Sequence, residues 1–211
     1  ALLLIGTNPR VEAPVWNARI RKAWLENGLK VGVIGENADL TYKYNYLGAG
    51  PQTLQEVADG SHDFAKVLEG AERPLIVIGQ GALTRADGTA VVAAARAIAA
   101  KYAGGRDGFG MLHTAAARVG ALDLGFVPGE DGRDTAGILD GAASGEMEVV
   151  FLLGADEIDP AKLANAFVVY QGHHGDRGAH AADVILPAAA YTEKDATYVN
   201  TEGRAQRAYR A

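Results

Sequence analysis

Three histidines towards the end of the chain form the densest set of potential metal ligands. His173 and His174 are adjacent, Asp176 follows, and His180 comes four residues after that. Three imidazoles and a carboxylate could hold zinc, which takes His and Asp ligands in tetrahedral sites. Adjacent histidines do not share a helix face, however, and the spacing lacks an HExxH register. We therefore expect a solvated or hydrogen-bonded loop here and no metal site.

Anion binding is the second chemistry that the sequence offers, at two loops that follow apolar runs. The first loop is Gly6-Thr7-Asn8-Pro9-Arg10, and the second contains Asp156 and Glu157. A helix that starts after such a loop presents free N–H groups and a positive dipole end to a phosphate. We expect the first loop to be able to receive an anion, with Arg10 adding charge, and the carboxylates of the second to repel one. No GxGxxG run is present, and Gly79-Gln80-Gly81 lacks the third glycine, so no dinucleotide site is predicted.

Composition excludes several other chemistries. The chain has no Cys, which rules out thiolate-held iron–sulfur clusters, a Cys nucleophile and Cys zinc sites. Ser61 and Ser144 are the only serines, and neither lies in a G-x-S-x-G motif. We therefore assign no catalytic, cofactor-binding or metal residue. A net charge of −6 argues against nucleic acid and anionic membranes as partners, and no apolar run approaches the ~20 residues of a membrane span.

The elements that must position these loops alternate between strand and helix. Continuous apolar runs closed by glycine predict strands that are buried on both faces, as in parallel sheets. The predicted strands are residues 2–5, 31–35, 75–78, 149–153, 167–170 and 184–186. Helices are predicted from Pro14 to Asn27-Gly28, near 64–70, after a capping Asp87, around 138–139 and over 162–166. This alternation predicts an α/β fold: a doubly wound, mostly parallel sheet with Rossmann-like strand–Gly–helix units.

The organisation of the chain shows no sharp boundary, so we treat residues 1–211 as a single α/β region. Residues 42–51 and 104–133 are glycine-rich without a hydrophobic period and are predicted to be long loops. A faint pseudo-repeat links residues 1–80 with 145–190, because Leu-Leu-Ile-Gly-Thr-Asn-Pro resembles Leu-Leu-Gly-Ala-Asp-Glu-Ile-Asp-Pro. The chain lacks an initiator Met, and its first Met is Met111. We therefore expect a fragment of a longer protein.

Two groups of motifs resemble a known family. The ADVILP run at 182–187, Glu193-Lys194 and the NTEGR run at 200–204 resemble the molybdopterin oxidoreductase superfamily, which includes formate dehydrogenases and nitrate reductases. The HTAAARVGALDLG run at 113–125 and the YQGHHGD run at 170–176 are more specific. They resemble the large iron–sulfur subunit of respiratory complex I, which occurs in bacteria and, as the 75 kDa subunit, in mitochondria.

The resemblance implies a parent complex that transfers electrons from NADH to quinone, within which this region is a non-catalytic scaffold. Iron–sulfur clusters are expected in a Cys-rich N-terminal region that is missing here, and the α/β region is expected to have lost its molybdopterin cofactor. The implied partners are other peripheral-arm subunits of complex I, with no nucleic acid and no membrane insertion. The implied location is the cytoplasmic side of a bacterial inner membrane, or the matrix side in a mitochondrion.

Two alternatives remain open at this stage. The chain could be a fragment of an active molybdopterin oxidoreductase such as a formate dehydrogenase, which a pterin or molybdenum signal would support. The Arg73-Pro74-Leu75-Ile76-Val77-Ile78-Gly79-Gln80-Gly81-Ala82 run also resembles the middle domain of thiamine-diphosphate enzymes, which binds FAD in some members. A yellow colour would support that alternative, but the NTEGR run does not fit it.

Overall fold

A computed structural model describes residues 1–175 and 177–211. It divides into two compact units, an amino-terminal unit of Ala1–Ala116 and a carboxyl-terminal unit of Ala117–Ala211. The division falls inside the stretch that the sequence predicts to be a long loop. The single α/β region and its internal repeat stay predictions.

The amino-terminal unit, described without a gap, is built on five parallel strands. They are β1 Leu2–Ile5, β2 Val31–Ile34, β3 Asn45–Gly48, β4 Leu75–Ile78 and β5 Phe109–Met111. Their order is β3-β2-β1-β4-β5, and Leu2 pairs with both Val31 and Leu75. The direction of winding reverses between β1 and β4, which is the defining feature of a doubly wound sheet.

Helices cover both faces of this sheet. They are α1 Pro9–Glu12, α2 Pro14–Asn27, α3 Pro51–Asp59, α4 Asp63–Glu69, α5 Gln80–Leu83 and α6 Gly88–Tyr102. Because side chains alternate along a strand, Leu2 and Leu4 of β1 pack with Ile20 of α2. Leu3 and Ile5 pack on the opposite side with apolar residues of α3, α4 and α6. The continuous apolar run of β1 is therefore buried on both faces, as the sequence predicts.

The ends of two helices test the sequence signals. Pro14 is the first residue of α2, and Gly28 ends it in the left-handed conformation with φ 63°, as predicted. Asp87 precedes α6, but its side chain makes no capping hydrogen bond and instead accepts two from Arg85. The prediction of Asp87 as a side-chain cap is wrong because the neighbouring guanidinium holds the carboxylate.

Both predicted long loops contain regular structure. Strand β3 lies within residues 42–51, and β5 lies within 104–133. These strands have three or four residues and include Gly48 and Gly110, too few apolar side chains to produce a period. Pairing with β2 and β4 determines their conformation.

The carboxyl-terminal unit has a smaller parallel sheet. Its described elements are α7 Arg118–Asp123, α8 Thr135–Ser144, β6 Val149–Leu153, β7 Phe167–Gly172, α9 Arg177–His180, β8 Val184–Pro187, β9 Ala196–Val199 and β10 Ala205–Ala208. Strands β6, β7 and β8 pair in that order and in parallel, and β9 pairs with β10 as an antiparallel hairpin. The helix predicted over 162–166 is a 3₁₀ turn at Pro160–Leu163.

The core of this unit lies on one face of the sheet. Val150, Leu152, Val168 and Tyr170 pack there with Ala142 of α8, and Leu163 of the 3₁₀ turn completes the cluster. The described residues thus form mostly parallel sheets with helices, and the predicted α/β class is confirmed. Among them no helix is long and apolar enough to cross a bilayer.

Candidate functional site at the carboxyl ends of β1 and β2

A cleft of ≈ 480 Å³ opens at the carboxyl ends of β1 and β2 in the amino-terminal unit. This is the end of a doubly wound sheet at which ligands usually bind. Residues from four loops or helices line it, among them Gly6, Glu12, Glu36, Tyr46, Leu54 and Arg85. The Tyr46 hydroxyl donates to the Gly35 carbonyl over 3.0 Å, which fixes β3 across the loop after β2.

The loops after β1 and β4 meet at the floor of this cleft because glycines let their backbones approach. Gly6 has φ 55°, and a Cβ there would lie only 2.6 Å from the Cβ of Ala82. A Cβ on Gly79 would lie 2.5 Å from the Cβ of Thr7. The crevice between β1 and β4 is therefore filled by backbone at its base.

The Glu12 carboxylate takes up the donors of the loop after β1. It accepts from the Asn8 backbone N–H at 2.6 Å and from the Thr7 hydroxyl at 3.0 Å. These are the donors that an incoming anion would use. The expectation that this loop is able to receive an anion is thus not met by its geometry, because a carboxylate of the same chain already sits there.

The arginines near the cleft are also paired with carboxylates. Arg10 donates to the Asp39 carboxylate at 2.6 Å and to the Asp39 carbonyl at 3.0 Å. A hydrogen bond from the Thr41 backbone N–H, followed by the contact with Arg10, lowers the pKa of Asp39. Arg85 lines the cleft but chelates Asp87, and this contact lowers the pKa of Asp87.

Asp39 is positioned by a buried polar network. The Asn17 side chain donates to the Leu40 carbonyl at 3.1 Å and accepts from the Tyr42 hydroxyl at 2.9 Å. Burial raises the pKa of Tyr42, so its hydroxyl stays a donor. The network anchors residues 40–42 on α2 and thereby presents Asp39 to Arg10.

Taken together, these contacts do not fit a pyrophosphate-bearing cofactor. The donors of the loop after β1 are used by Glu12, and the neighbouring guanidinium groups are neutralised by Asp39 and Asp87. Glu36 adds a further carboxylate to the lining. Like charges at ~4 Å repel by about 4 kcal/mol at an effective dielectric of ~20, so phosphate groups would be disfavoured here.

The corresponding loop after β6 uses its carboxylates for folding. Asp156 accepts a hydrogen bond from the backbone N–H of Gly178 in α9, which ties this loop to the segment after β7. Asp159, rather than Asp156 or Glu157, caps the 3₁₀ turn through the Ala161 N–H at 3.1 Å. A second, more open cleft of ≈ 850 Å³ lies between these loops, with Arg177 and His180 among its lining residues.

The histidine cluster is placed on the surface. His173 and His174 are exposed, and their rings lie edge to face with centroids 4.4 Å apart. The His174 carbonyl accepts from the Tyr170 hydroxyl at 3.2 Å. Among the described residues no group of three His, Cys, Asp or Glu side chains is placed to hold a metal ion. Asp176 lies outside the described residues.

The motifs that carry the family resemblance have structural roles. Asp183 accepts from the Val168 N–H at 2.8 Å and so starts β8 beside β7. Asn200 accepts from the backbone N–H groups of Glu202 and Arg204 at 3.0 and 2.9 Å, which closes the β9–β10 hairpin. Glu193 accepts from the Ala190 N–H at 2.8 Å.

Sequence reasoning missed the residues that decide the chemistry of the cleft. Glu12 sits two residues after Arg10 and is hidden among exposed charges of a predicted helix start. Glu36 follows the Val31–Ile34 strand by two residues. An acidic residue just after the second strand of such a sheet is a recognisable signal, and it could have marked this position.

Comparison with known proteins places the chain in a family. The molybdopterin oxidoreductase family model matches residues 1–211. The chain is 47% identical over 210 residues to the "NADH dehydrogenase [ubiquinone] iron-sulfur protein 1, mitochondrial" of Solanum tuberosum, covering 98% of this chain and 27% of that protein. It is 47% identical over 212 residues to an NADH-quinone oxidoreductase subunit of the bacterium Rickettsia felis, covering 99% and 30%.

A third relative, the "NADH-ubiquinone oxidoreductase 78 kDa subunit, mitochondrial" of Neurospora crassa, is 44% identical over 97% of the chain. The chain spans 27–30% of the length of these relatives. The family resemblance read from the HTAAARVGALDLG, YQGHHGD and NTEGR runs is confirmed. With the family model matching every residue from 1 to 211, the chain belongs to the molybdopterin oxidoreductase family.

Proposed function

We propose that this chain is a scaffold region of the large iron–sulfur subunit of an NADH-quinone oxidoreductase, complex I. The observation that carries the proposal is its 44–47% identity, over 97–99% of its length, to proteins that bear complex I subunit names. The parent polypeptide would take part in electron transfer from NADH to quinone, and this region would support its assembly.

This region carries no redox centre of its own in the proposed function. The chain has no Cys to ligate an iron–sulfur cluster, so the clusters belong to other parts of the parent subunit. The donors at the carboxyl ends of the strands are occupied by Glu12 and its neighbours. The region is thus proposed to be a molybdopterin-type fold that has lost its cofactor.

The proposed partners are other peripheral-arm subunits of complex I. The proposed location is the cytoplasmic side of a bacterial inner membrane or the matrix side of a mitochondrial one. The names of the relatives, which come from both bacteria and mitochondria, support this pair of alternatives.

Assembly of the parent complex tests the proposal. The parent gene would be tagged in its host, and a version lacking the codons for residues 117–211 would serve as the comparison. The full-length product should co-purify with NADH-quinone oxidoreductase activity, and the shortened product should not. A full-length product that purifies without this activity, or a shortened product that retains it, would overturn the scaffold function.

The purified chain tests the absence of a redox centre. We expect no stoichiometric iron, molybdenum or zinc, no flavin absorption, and no NADH oxidation with an artificial acceptor. Calorimetry with GDP or GTP should give no binding heat. Molybdenum with a pterin signal would favour an active molybdopterin enzyme, and a flavin band would favour the thiamine-diphosphate-type alternative.

A further inference from the structure

One face of the β6-β7-β8 sheet is apolar and lacks a covering layer among the described residues. Phe151 and Leu153 of β6 are 63% and 68% exposed, and Phe167 of β7 is 49% exposed. The parallel register places these side chains on the same face as Val184 and Leu186 of β8. The complete set on this face, which we call the open face, is Val149, Phe151, Leu153, Phe167, Val169, Gln171, Val184 and Leu186.

The open face carries no charge, and Gln171 is its one polar member. Parallel sheets are normally covered by helices on both faces, and monomeric proteins rarely leave an apolar patch of this extent in water. Nucleic acid and anionic lipid would require basic side chains that this face does not have. The occupant must therefore be an apolar protein surface.

The topology of the strands indicates which kind of protein surface fits. In the amino-terminal unit, winding from β1 to β2 places α2 on one face, and winding in the other direction through β4 places α6 on the opposite face. In the carboxyl-terminal unit the described strands β6, β7 and β8 follow one another in a single direction. Right-handed crossovers in a single direction cover only one face, which is where α8 and the 3₁₀ turn lie.

We propose that the open face is covered by a strand-and-helix segment of the same polypeptide that lies outside residues 1–211. The segment would add a strand beside the free edge of β6 and lay its crossover helix on Phe151, Leu153 and Phe167. The relatives provide the necessary length, since residues 1–211 correspond to only 27–30% of them. The proposal rests on the chain being part of a longer subunit, as the proposed function requires.

Photo-crosslinking in the full-length parent protein tests this assignment. A benzophenone amino acid would replace Phe151, with a second variant at Phe167 in case the first does not fold. The matched control is Tyr191, an aromatic residue of the same unit that is 72% exposed and lies outside this sheet. After irradiation, monomer-sized product would be digested and the cross-linked peptides identified by mass spectrometry.

We expect positions 151 and 167 to cross-link to one peptide of the same polypeptide outside residues 1–211, and position 191 not to yield that peptide. A cross-link to another subunit, to a second copy at dimer mass, or to residues 1–116 would overturn the proposal, as would no cross-link at all. Co-purification with NADH-quinone oxidoreductase activity is measured before irradiation. A parent protein that fails that test but gives the expected cross-link would refute the proposed function and keep this assignment.

Discussion

Two apolar runs that look alike in sequence behave differently in the two units. The LLLI run of β1 is buried at every position, whereas the VVFLL run of β6 alternates between exposed and buried residues. Both runs predict strands, and both form them. The difference is that helices of the amino-terminal unit cover both faces of β1, and α8 and the 3₁₀ turn cover one face of β6. An apolar run therefore reports how a strand is buried in its complete protein.

The largest expected effect compares a side chain on each strand. Leu3 is fully buried, and Phe151 is 63% exposed. In the 211-residue chain, Leu3→Ala should lower the free energy of unfolding of the amino-terminal unit by about 2–5 kcal/mol, because it leaves a cavity. Phe151→Ala should change the stability of the carboxyl-terminal unit by no more than about 0.5 kcal/mol.

Urea unfolding can follow the units separately. Both Trp residues, Trp16 and Trp24, lie in α2, so their fluorescence reports the amino-terminal unit. Hydrogen exchange of β6 and β7 reports the carboxyl-terminal unit. A Phe151→Ala variant that loses as much stability as Leu3→Ala would contradict the comparison and show that the open face is already covered in this chain.

The second effect compares the glycines that follow the two strands. Gly6 and Gly154 both have left-handed backbones, with φ 55° and 64°. A Cβ on Gly6 would collide with Ala82, whereas nothing lies within 4 Å of one on Gly154. Gly154→Ala should cost about 1–2 kcal/mol from the backbone alone, and Gly6→Ala should cost about 1–3 kcal/mol more from overpacking.

Thermal unfolding of the two alanine variants, measured with the same probes, checks this difference. Gly28→Ala serves as a further control, because Gly28 has φ 63° and no neighbour within 4 Å of a Cβ. Equal costs for Gly6→Ala and Gly28→Ala would mean that the loops after β1 and β4 do not meet as described.

The sequence predicted the parts of the fold that depend on local signals. The long apolar runs of β1, β4, β6 and β7 and the Pro14–Gly28 helix boundaries need no tertiary information. Strand β3 could not be found in this way, because Asn45–Gly48 contains a single aliphatic side chain and is held by pairing with β2. The β9–β10 hairpin was overlooked although Asn200 and Gly203 provide its turn.

The candidate site was less predictable than the fold. The loop after β1 was identified from its position between strand and helix, but its chemistry depends on Glu12, whose carboxylate folds back over Thr7 and Asn8. The spacing of four residues between Asn8 and Glu12 permits this contact without requiring it. Likewise, the contact from Asp156 to Gly178 spans 22 residues, so no local pattern could reveal it.

The third effect compares these two carboxylates. Glu12→Ala leaves the Asn8 N–H and the Thr7 hydroxyl without their acceptor, and Asp156→Ala does the same to the Gly178 N–H. Each should cost about 1–2 kcal/mol in its own unit, since an unpaired, partly buried donor costs ~1–3 kcal/mol. Glu12→Gln and Asp156→Asn keep an acceptor oxygen and should recover about half.

Urea titration with the unit-specific probes measures these costs. The result that would contradict the expectation is a Glu12→Ala variant as stable as the unmodified chain, because Glu12 would then not hold the loop. A variant of Glu12 that gains micromolar GDP affinity would show in addition that the carboxylate alone excludes phosphate.

The smallest expected effect is a pH dependence that the two units share. A hydrogen bond from Thr41 and the contact with Arg10 lower the pKa of Asp39 in the amino-terminal unit. Its counterpart is Glu146 in the carboxyl-terminal unit, where the contact with Arg133 lowers the pKa. A carboxyl group with a lowered folded-state pKa stabilises the fold above its unfolded pKa, ~4 for Asp and Glu, and loses that contribution as pH falls through the folded value. Asp39→Asn should therefore lower the melting temperature of the Trp-reported transition slightly at pH 7, and the gap to the unmodified chain should close below about pH 4. Glu146→Gln should leave that transition unchanged at every pH and produce the same small, acid-sensitive loss in the exchange of α8 and β6. Both partners of each pair are exposed to solvent, so added salt should shrink the two losses alike. A gap for Asp39→Asn that widens in acid, or one that appears equally in both units, would show that the charges are not confined to their own unit.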